Sequence, residues 1–332
     1  MKSAYFQASL LSKRVPIEEA LKDPKLTEEQ KHKLKLAEEA HDFAESDLGL
    51  AHTKSYTTFV QLDRPYVTYV LSAAPKNELQ AYKWWYPVVG SLPYRGFFDP
   101  ESAKAEAEKM KAKGFDVYVR GVSAYSTLGW FSDPVLSSML GYRDYDLVDT
   151  VIHETVHATI YIKSEADFNE RLAVFIGNKG TQEFYKKREG VDSKTLKEMA
   201  ADRADEKLFA DFIFKEMKDL EKWYADKKSA LGEQPIPELE RLSRIKEIQE
   251  HFKTEVRPNL NSSDSYKNFE NIELNNARLL TYRLYFEKLD DFEAVFKKLS
   301  ENFSAMLKFC KSLENSKDPK ADLAREAGSH DH

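Results

Sequence analysis

The chain has 332 residues, 42% of them hydrophobic, enough to bury a large core as one big domain or two closely packed lobes. Its 50 basic and 56 acidic residues are interspersed and sum to −6, which leaves no broad basic surface for nucleic acid or anionic lipid. A single cysteine, Cys310, excludes an intramolecular disulfide, and no run of about 18 apolar residues proposes a membrane span.

In chain order, residues 1–55 read as a helical segment: Phe6, Leu10 and Leu11, then 17–21, then 26–48 opened by Thr27-Glu28-Glu29. The period then changes. Stretches 56–62 and 66–71 alternate aromatic and β-branched residues as strands do, with Asp63-Arg64-Pro65 as the turn between them, so a small sheet begins here. Residues 84–98 are dense in aromatics and broken by Pro87, Gly90, Pro93 and Gly96, which excludes one regular element and suggests a wrap against the sheet. A helix over 100–113 packs through Ala103, Ala105, Ala107 and Met110; Gly114 ends it, and 115–122 follows as an alternating strand.

The stretch 144–163 holds His153-Glu154-Thr155-Val156-His157, an HExxH sequence. Residues four apart share a helix face, so the two imidazoles can reach one metal while Glu154 lies beside them. Leu147, Val148, Val151, Ile152, Val156 and Ile160 form an apolar flank, and Asp144 is available as the N-cap. A packed histidine pair is the plain alternative, and a third ligand decides between the two. Residues 163–167 can turn the chain back, and Phe168-Asn169-Glu170-Arg171-Leu172-Ala173 opens the next helix with Glu170 as that ligand. Three protein ligands leave a fourth tetrahedral position for water, as catalytic zinc requires.

Beyond Glu170 the chain is expected to be almost wholly helical: 193–227, then, after Pro235 and Pro237, 237–254, 265–289 and 291–313. The tail 314–332, rich in Lys, Asp, Ser and Gly, is expected to fray. The expected division is 1–55 as N-terminal helices, 56–190 as the catalytic core, 191–313 as a helical lobe closing the cleft, and 314–332 as a flexible tail.

The runs Gly121 to Pro134, His153 to His157 and Phe168 to Ala173 together resemble the bacterial putative aminopeptidases, envelope-anchored proteins with an HExxH. Tyr86-Pro87-Val88-Val89-Gly90, Tyr94-Arg95-Gly96, Arg64-Pro65-Tyr66 and Asn275-Asn276-Ala277-Arg278 add to the match, which covers nearly all of the chain to about Leu299. The resemblance implies an α+β, mainly helical zincin-like fold with a small mixed sheet, whose edge strand borders a zinc cleft. It also implies a gluzincin-type site with one zinc per chain on His153, His157 and Glu170, Glu154 as general base, and a peptide or protein substrate. Gly121, Tyr125, Ser126 and Thr127 would line the substrate path. Tyr282, which shares a helix face with Asn275 and Arg278, is the expected oxyanion donor, with Tyr125 as its rival.

Family members typically carry a cysteine at the positions of Trp85 and Ser91; both are absent here, as loss of a disulfide pair would produce. Their mature chains begin just after a lipid-modified cysteine, so Met1 would replace a removed lipoprotein signal and place the protein in the envelope or periplasm. Residues 1–14 lack an apolar signal core, which leaves a cytoplasmic protein with a native start as the alternative. Two functions stay open: a zinc peptidase, expected to be an aminopeptidase, or a peptide-binding scaffold with a structural zinc. Glu154 favours the enzyme, because a structural site needs no base beside its ligands.

Overall fold

A computed structural model describes residues 11–86, 90–123, 132–163, 165–232, 234–262, 266–285 and 289–328. The secondary structure follows local signals in most places. Helix α1, Glu28–Ser46, starts with a capping box in which Thr27 accepts from the Gln30 backbone and the Gln30 side chain accepts from the Thr27 backbone. Short strands β1 (Val15–Pro16) and β2 (Thr58–Val60) flank it. Strand β3 spans Thr68–Pro75, β4 Trp84–Tyr86, β5 Gly90–Leu92 and β6 Tyr94–Phe97. Helix α2, Pro100–Ala112, is capped by Asp99 with proline at its first position, and Gly114 at φ +86° releases the chain into β7, Phe115–Val122. Strand β8 is Val135–Leu136.

The remainder is helical: α3 (Asp144–Thr159), α4 (Ala166–Glu189), α5 (Lys194–Leu231), α6 (Glu238–His251), α7 (Asn276–Tyr285), α8 (Asp290–Lys298), α9 (Phe303–Ser312) and α10 (Pro319–Ala327). Among the described residues no helix is long and apolar enough to cross a membrane. Mainly helical with small sheets, the fold is α+β, as expected.

The chain forms two compact units that cut across the boundaries read from sequence. The first joins 1–68, 122–196 and 288–332; the second joins 69–121 and 197–287. In the first, α1 and α4 pack on α3, while β2 pairs antiparallel with β1 and parallel with β8. Helix α4 approaches α3 closely because two of its turns carry glycine. A Cβ on Gly180 would stand 2.6 Å from the Leu48 Cδ1 and 3.2 Å from an Ile152 methyl. Gly180→Val is therefore expected to cost about 1–3 kcal/mol in urea unfolding, whereas Gly141→Ala, with open space around it, should be near neutral. Equal stability of the two variants would refute the close approach.

Phe292 of α8 packs on Phe168 and Phe175 of α4, at ring distances of 5.3 and 5.8 Å. Cys310 is fully buried, and burial pushes its thiol up to about 12. In native protein at pH 8 it should react with a thiol reagent roughly a thousandfold more slowly than in denaturant, a rate measurable by colour release.

In the second unit, β3 lies between β6 and β7, so among the described residues β7 is an edge strand. Strands β4 and β5 pair antiparallel and set Trp85 directly opposite Ser91. An aromatic core gathers Phe209, Phe212, Phe252 and Phe269. A buried polar network ties α6 and α7 to β7: Arg241 grips Asp116 at 2.8 Å, Asp116 accepts from the Asn276 backbone at 3.1 Å, and Asn276 accepts from the Tyr224 hydroxyl at 2.9 Å.

Several expectations need correction. Strands β2 and β3 do not pair; they belong to different sheets, because β2 finds the distant β8 and β3 finds β6 and β7. The expected helix over 265–289 is shorter, since Asn275 caps the Arg278 backbone at 3.0 Å and the preceding 266–272 form turns. The helix expected over 291–313 breaks at Ser300 and Glu301, both left-handed, and Asn302 caps a new start. The tail does not simply fray: Asp318 caps α10, Leu323 is 1% exposed, and Gly328 ends the helix left-handed.

Candidate metal centre

Helix α3 begins at Asp144 rather than being capped by it. The cap residue is Arg143, and the Asp144 carboxylate instead accepts from Lys33 at 2.5 Å and His32 at 3.0 Å of α1. An acid in the first turn is favourable for the helix dipole, and here it also fixes α3 to α1. One wall of the helix is buried, with Leu147, Val148, Val151 and Ile152 at 0% exposure. His153 and Glu154 are half-buried, and His157 is buried.

The third residue arrives by a clamp. Asn169, 2% exposed, accepts from the Ile162 backbone N–H at 2.8 Å and donates to the Ile162 carbonyl at 2.8 Å. Both backbone groups of the turn are thereby satisfied, and the chain re-enters α4 with Glu170 facing the two histidines. A Cβ on Gly177 would lie 3.4 Å from the His153 Cβ and 3.1 Å from the Asp149 carboxylate, so glycine is what lets α4 lie against the ligand helix.

The geometry is that of a chelating set. The His153 and His157 Nε2 atoms are 3.2 Å apart, and each stands 3.6 Å from an oxygen of Glu170. Tetrahedral zinc with bonds of about 2.0–2.1 Å separates its ligand atoms by about 3.3–3.4 Å, so these three distances bracket the required edge. The donor set also suits a cation, because two ring nitrogens at that distance cannot both present bare lone pairs without a proton or metal between them. His157 is 5% exposed and its Nδ1 is buried without a protein partner. His153, His157 and Glu170 are the sole group of this kind among the described residues.

Electrostatics agree. Loss of hydration acts to lower the His153 imidazole, but the Glu170 contact and the Glu154 and Asp149 charges outweigh it and raise it. For Glu170, loss of hydration acts upward, and the two imidazoles overcome it, holding the carboxyl well below the usual range. Glu154, next to His153 in the chain, is not a member of the triad.

One neighbour of Glu154 had no signal in the sequence. Tyr56 is 3% exposed and holds a left-handed φ of +58°, a strained conformation for a bulky side chain. Its backbone N–H donates to the Asp133 carbonyl at 2.6 Å, and the Asp133 N–H donates to the Ser55 hydroxyl at 3.0 Å, a double latch that maintains the strain. Burial pushes its phenol well up, and the charges of Glu154 and Asp133 act in the same direction. Tyr142 likewise rises through burial, with Glu154 among the contributing charges.

The other expected residues fall differently. Gly121 is the penultimate residue of β7 and belongs to the second unit, and Tyr125, Ser126 and Thr127 lie outside the described residues. Tyr282 also belongs to the second unit, where its ring packs on Phe209 at 5.3 Å and Phe269 at 6.0 Å, and burial raises its phenol against the opposing charge of Arg278. The polarity of Asn275 and Asn276 is consumed structurally: Asn275 donates to the Val117 carbonyl of β7 at 3.0 Å, and Asn276 to the carbonyls of Pro75 and Glu78.

Fold and site together define a mainly helical α+β protein with a helix-borne His–His–Glu group able to hold a metal ion. The chain belongs to the family described as Putative aminopeptidase, whose model matches residues 1–324. No curated protein and no solved structure matched the chain.

Proposed function

We propose that this protein is a zinc-dependent aminopeptidase with one zinc per chain held by His153, His157 and Glu170. The observation that carries the reading is the triad of ligand atoms 3.2–3.6 Å apart with Glu154 beside it and outside it. When bound, zinc supplies a Lewis acid that acidifies a water and polarises the scissile carbonyl. Glu154 accepts the proton of the attacking water and returns it to the departing amine. Asn169 and Gly177 hold Glu170 and His153 in register, so that little reorganisation is left for the reaction.

The developing oxyanion needs a second donor, and Tyr56, a buried phenol on which the Glu154 charge acts, is a candidate to test beside Tyr282. Tyr56 belongs to the same unit as the triad, whereas the Tyr282 ring packs on Phe209 and Phe269 in the second unit. A phenol donates without ionising at neutral pH. Tyr56→Phe keeps the packing and should lower kcat about tenfold to a thousandfold with KM and zinc content little changed. If Tyr282→Phe shows that pattern and Tyr56→Phe does not, the donor is Tyr282.

The reading itself is tested by supplying zinc to the purified chain and comparing turnover of one peptide with a free and an acetylated N-terminus. Cleavage of the free form alone supports an aminopeptidase, and cleavage of both indicates internal cutting. Stoichiometric zinc with neither cleaved would leave a peptide-binding scaffold.

A further inference from the structure

The second unit contains a cavity of about 220 Å³ lined by Tyr266, Lys267, Asn268, Phe269, Ile272 and Arg278, with Tyr282 completing the wall. Two of its lining residues are cationic, three carry neutral hydrogen-bonding groups, and none is acidic. Arg278 is the unusual member. Its guanidinium stands 4.6 Å over the Tyr118 ring and makes a long 3.4 Å contact to the Glu273 carbonyl, and its charge acts on the Tyr282 phenol.

Its Nε is buried and has no partner, and among the described residues no carboxylate pairs with it. The other well-covered arginines of this unit differ: Arg241 holds Asp116 and Glu238, and Arg244 reaches Glu216. A half-buried guanidinium without an acid is costly unless an anion completes it, and its planar fork matches a carboxylate.

The wall is built rather than incidental. Turn hydrogen bonds from Phe269 to Tyr266 at 2.8 Å and from Asn271 to Asn268 at 2.9 Å shape the 266–272 loop. Gln249 of α6 donates to the carbonyls of Phe269 at 2.7 Å and Ile272 at 3.0 Å, buttressing it from behind. Tyr266 holds a left-handed φ of +53° and stacks on Phe209 at 4.0 Å, so its ring is fixed at the rim. The apolar faces of Phe269 and Ile272 suit the carbon chain of an organic acid better than a bare inorganic anion.

We propose that this pocket binds a carboxylate on a peptide, either its free C-terminus or an acidic side chain, through Arg278 with Lys267 in support. Nothing in this depends on the metal site. The test is calorimetric titration of the full chain with N-acetylphenylalanine, its amide, and the α-amide of N-acetylglutamic acid, none of which offers a free amino terminus.

The free acid should bind at least tenfold more tightly than the neutral amide, and Arg278→Gln should remove that difference. Tighter binding of the glutamic derivative than of N-acetylphenylalanine would identify the acidic side chain as the source. Should Arg278→Gln fail to fold by circular dichroism, Lys267→Gln should still weaken the acid several-fold. Indistinguishable acid and amide would overturn the proposal. So would undiminished acid binding in Arg278→Gln, because a carboxylate settled on a metal would survive that change.

Discussion

Glu154→Gln is expected to retain zinc at one equivalent per chain while losing about 10²- to 10⁴-fold in kcat, the range attributed to a positioned general base. The glutamine is nearly isosteric and keeps the helix, but its amide cannot accept the proton that the proposed mechanism assigns to Glu154. Its separation from the triad is the reason for expecting the metal to stay: the three ligand atoms converge on one another, and Glu154 is not among them. Metal analysis and initial rates on the same preparation check both halves. Loss of zinc in proportion to loss of rate would show Glu154 to be a ligand and would return Glu170 to the role of an ordinary exposed acid.

Glu170→Ala should do the reverse, with zinc affinity falling at least about a hundredfold and activity lost with the metal. Replacing an outer-sphere partner typically costs ten- to hundredfold in affinity, and removing a direct ligand should cost no less. The variant also removes the one negative charge of the donor set and leaves two imidazole nitrogens 3.2 Å apart. Competition against a chelating dye measures the affinity. The fold should persist, because Glu170 is 56% exposed and contributes nothing to the apolar contacts of Phe168 and Leu172 on the same helix. Unchanged affinity would dismantle the third-ligand assignment and, with it, the proposed chemistry.

What was legible in advance divides along the range of the interactions. Elements whose determinants lie within a turn or two were readable: the helix start at Thr27, the helix from Pro100, Gly114 as a stop, and the pairing of His153 with His157. Residues four apart on a helix meet whatever surrounds them, so the HExxH spacing by itself determines a two-nitrogen site with a carboxylate alongside. The identity of Glu170 as the third member was also readable from its place after a short turn, although the clamp by Asn169 that makes it face inward was not.

The tertiary structure alone decided the rest. That α4 lies close enough to deliver Glu170 depends on Gly177 and Gly180 meeting α3 and Leu48, contacts whose partners are tens of residues away in the chain. The strand partners of β2 and β3, the breaking of 291–313 at left-handed Ser300 and Glu301, and the two interleaved units are of the same kind. Tyr56 and Asn276 mark the limit most clearly. One is a strained tyrosine held by Asp133 and the other an asparagine spent on Asp116 and Tyr224, and in the sequence each is one polar or aromatic residue among many. Local spacing fixes which side chains share a helix face, whereas the role of a group that depends on burial and distant hydrogen-bond partners exists only after the chain has closed on itself.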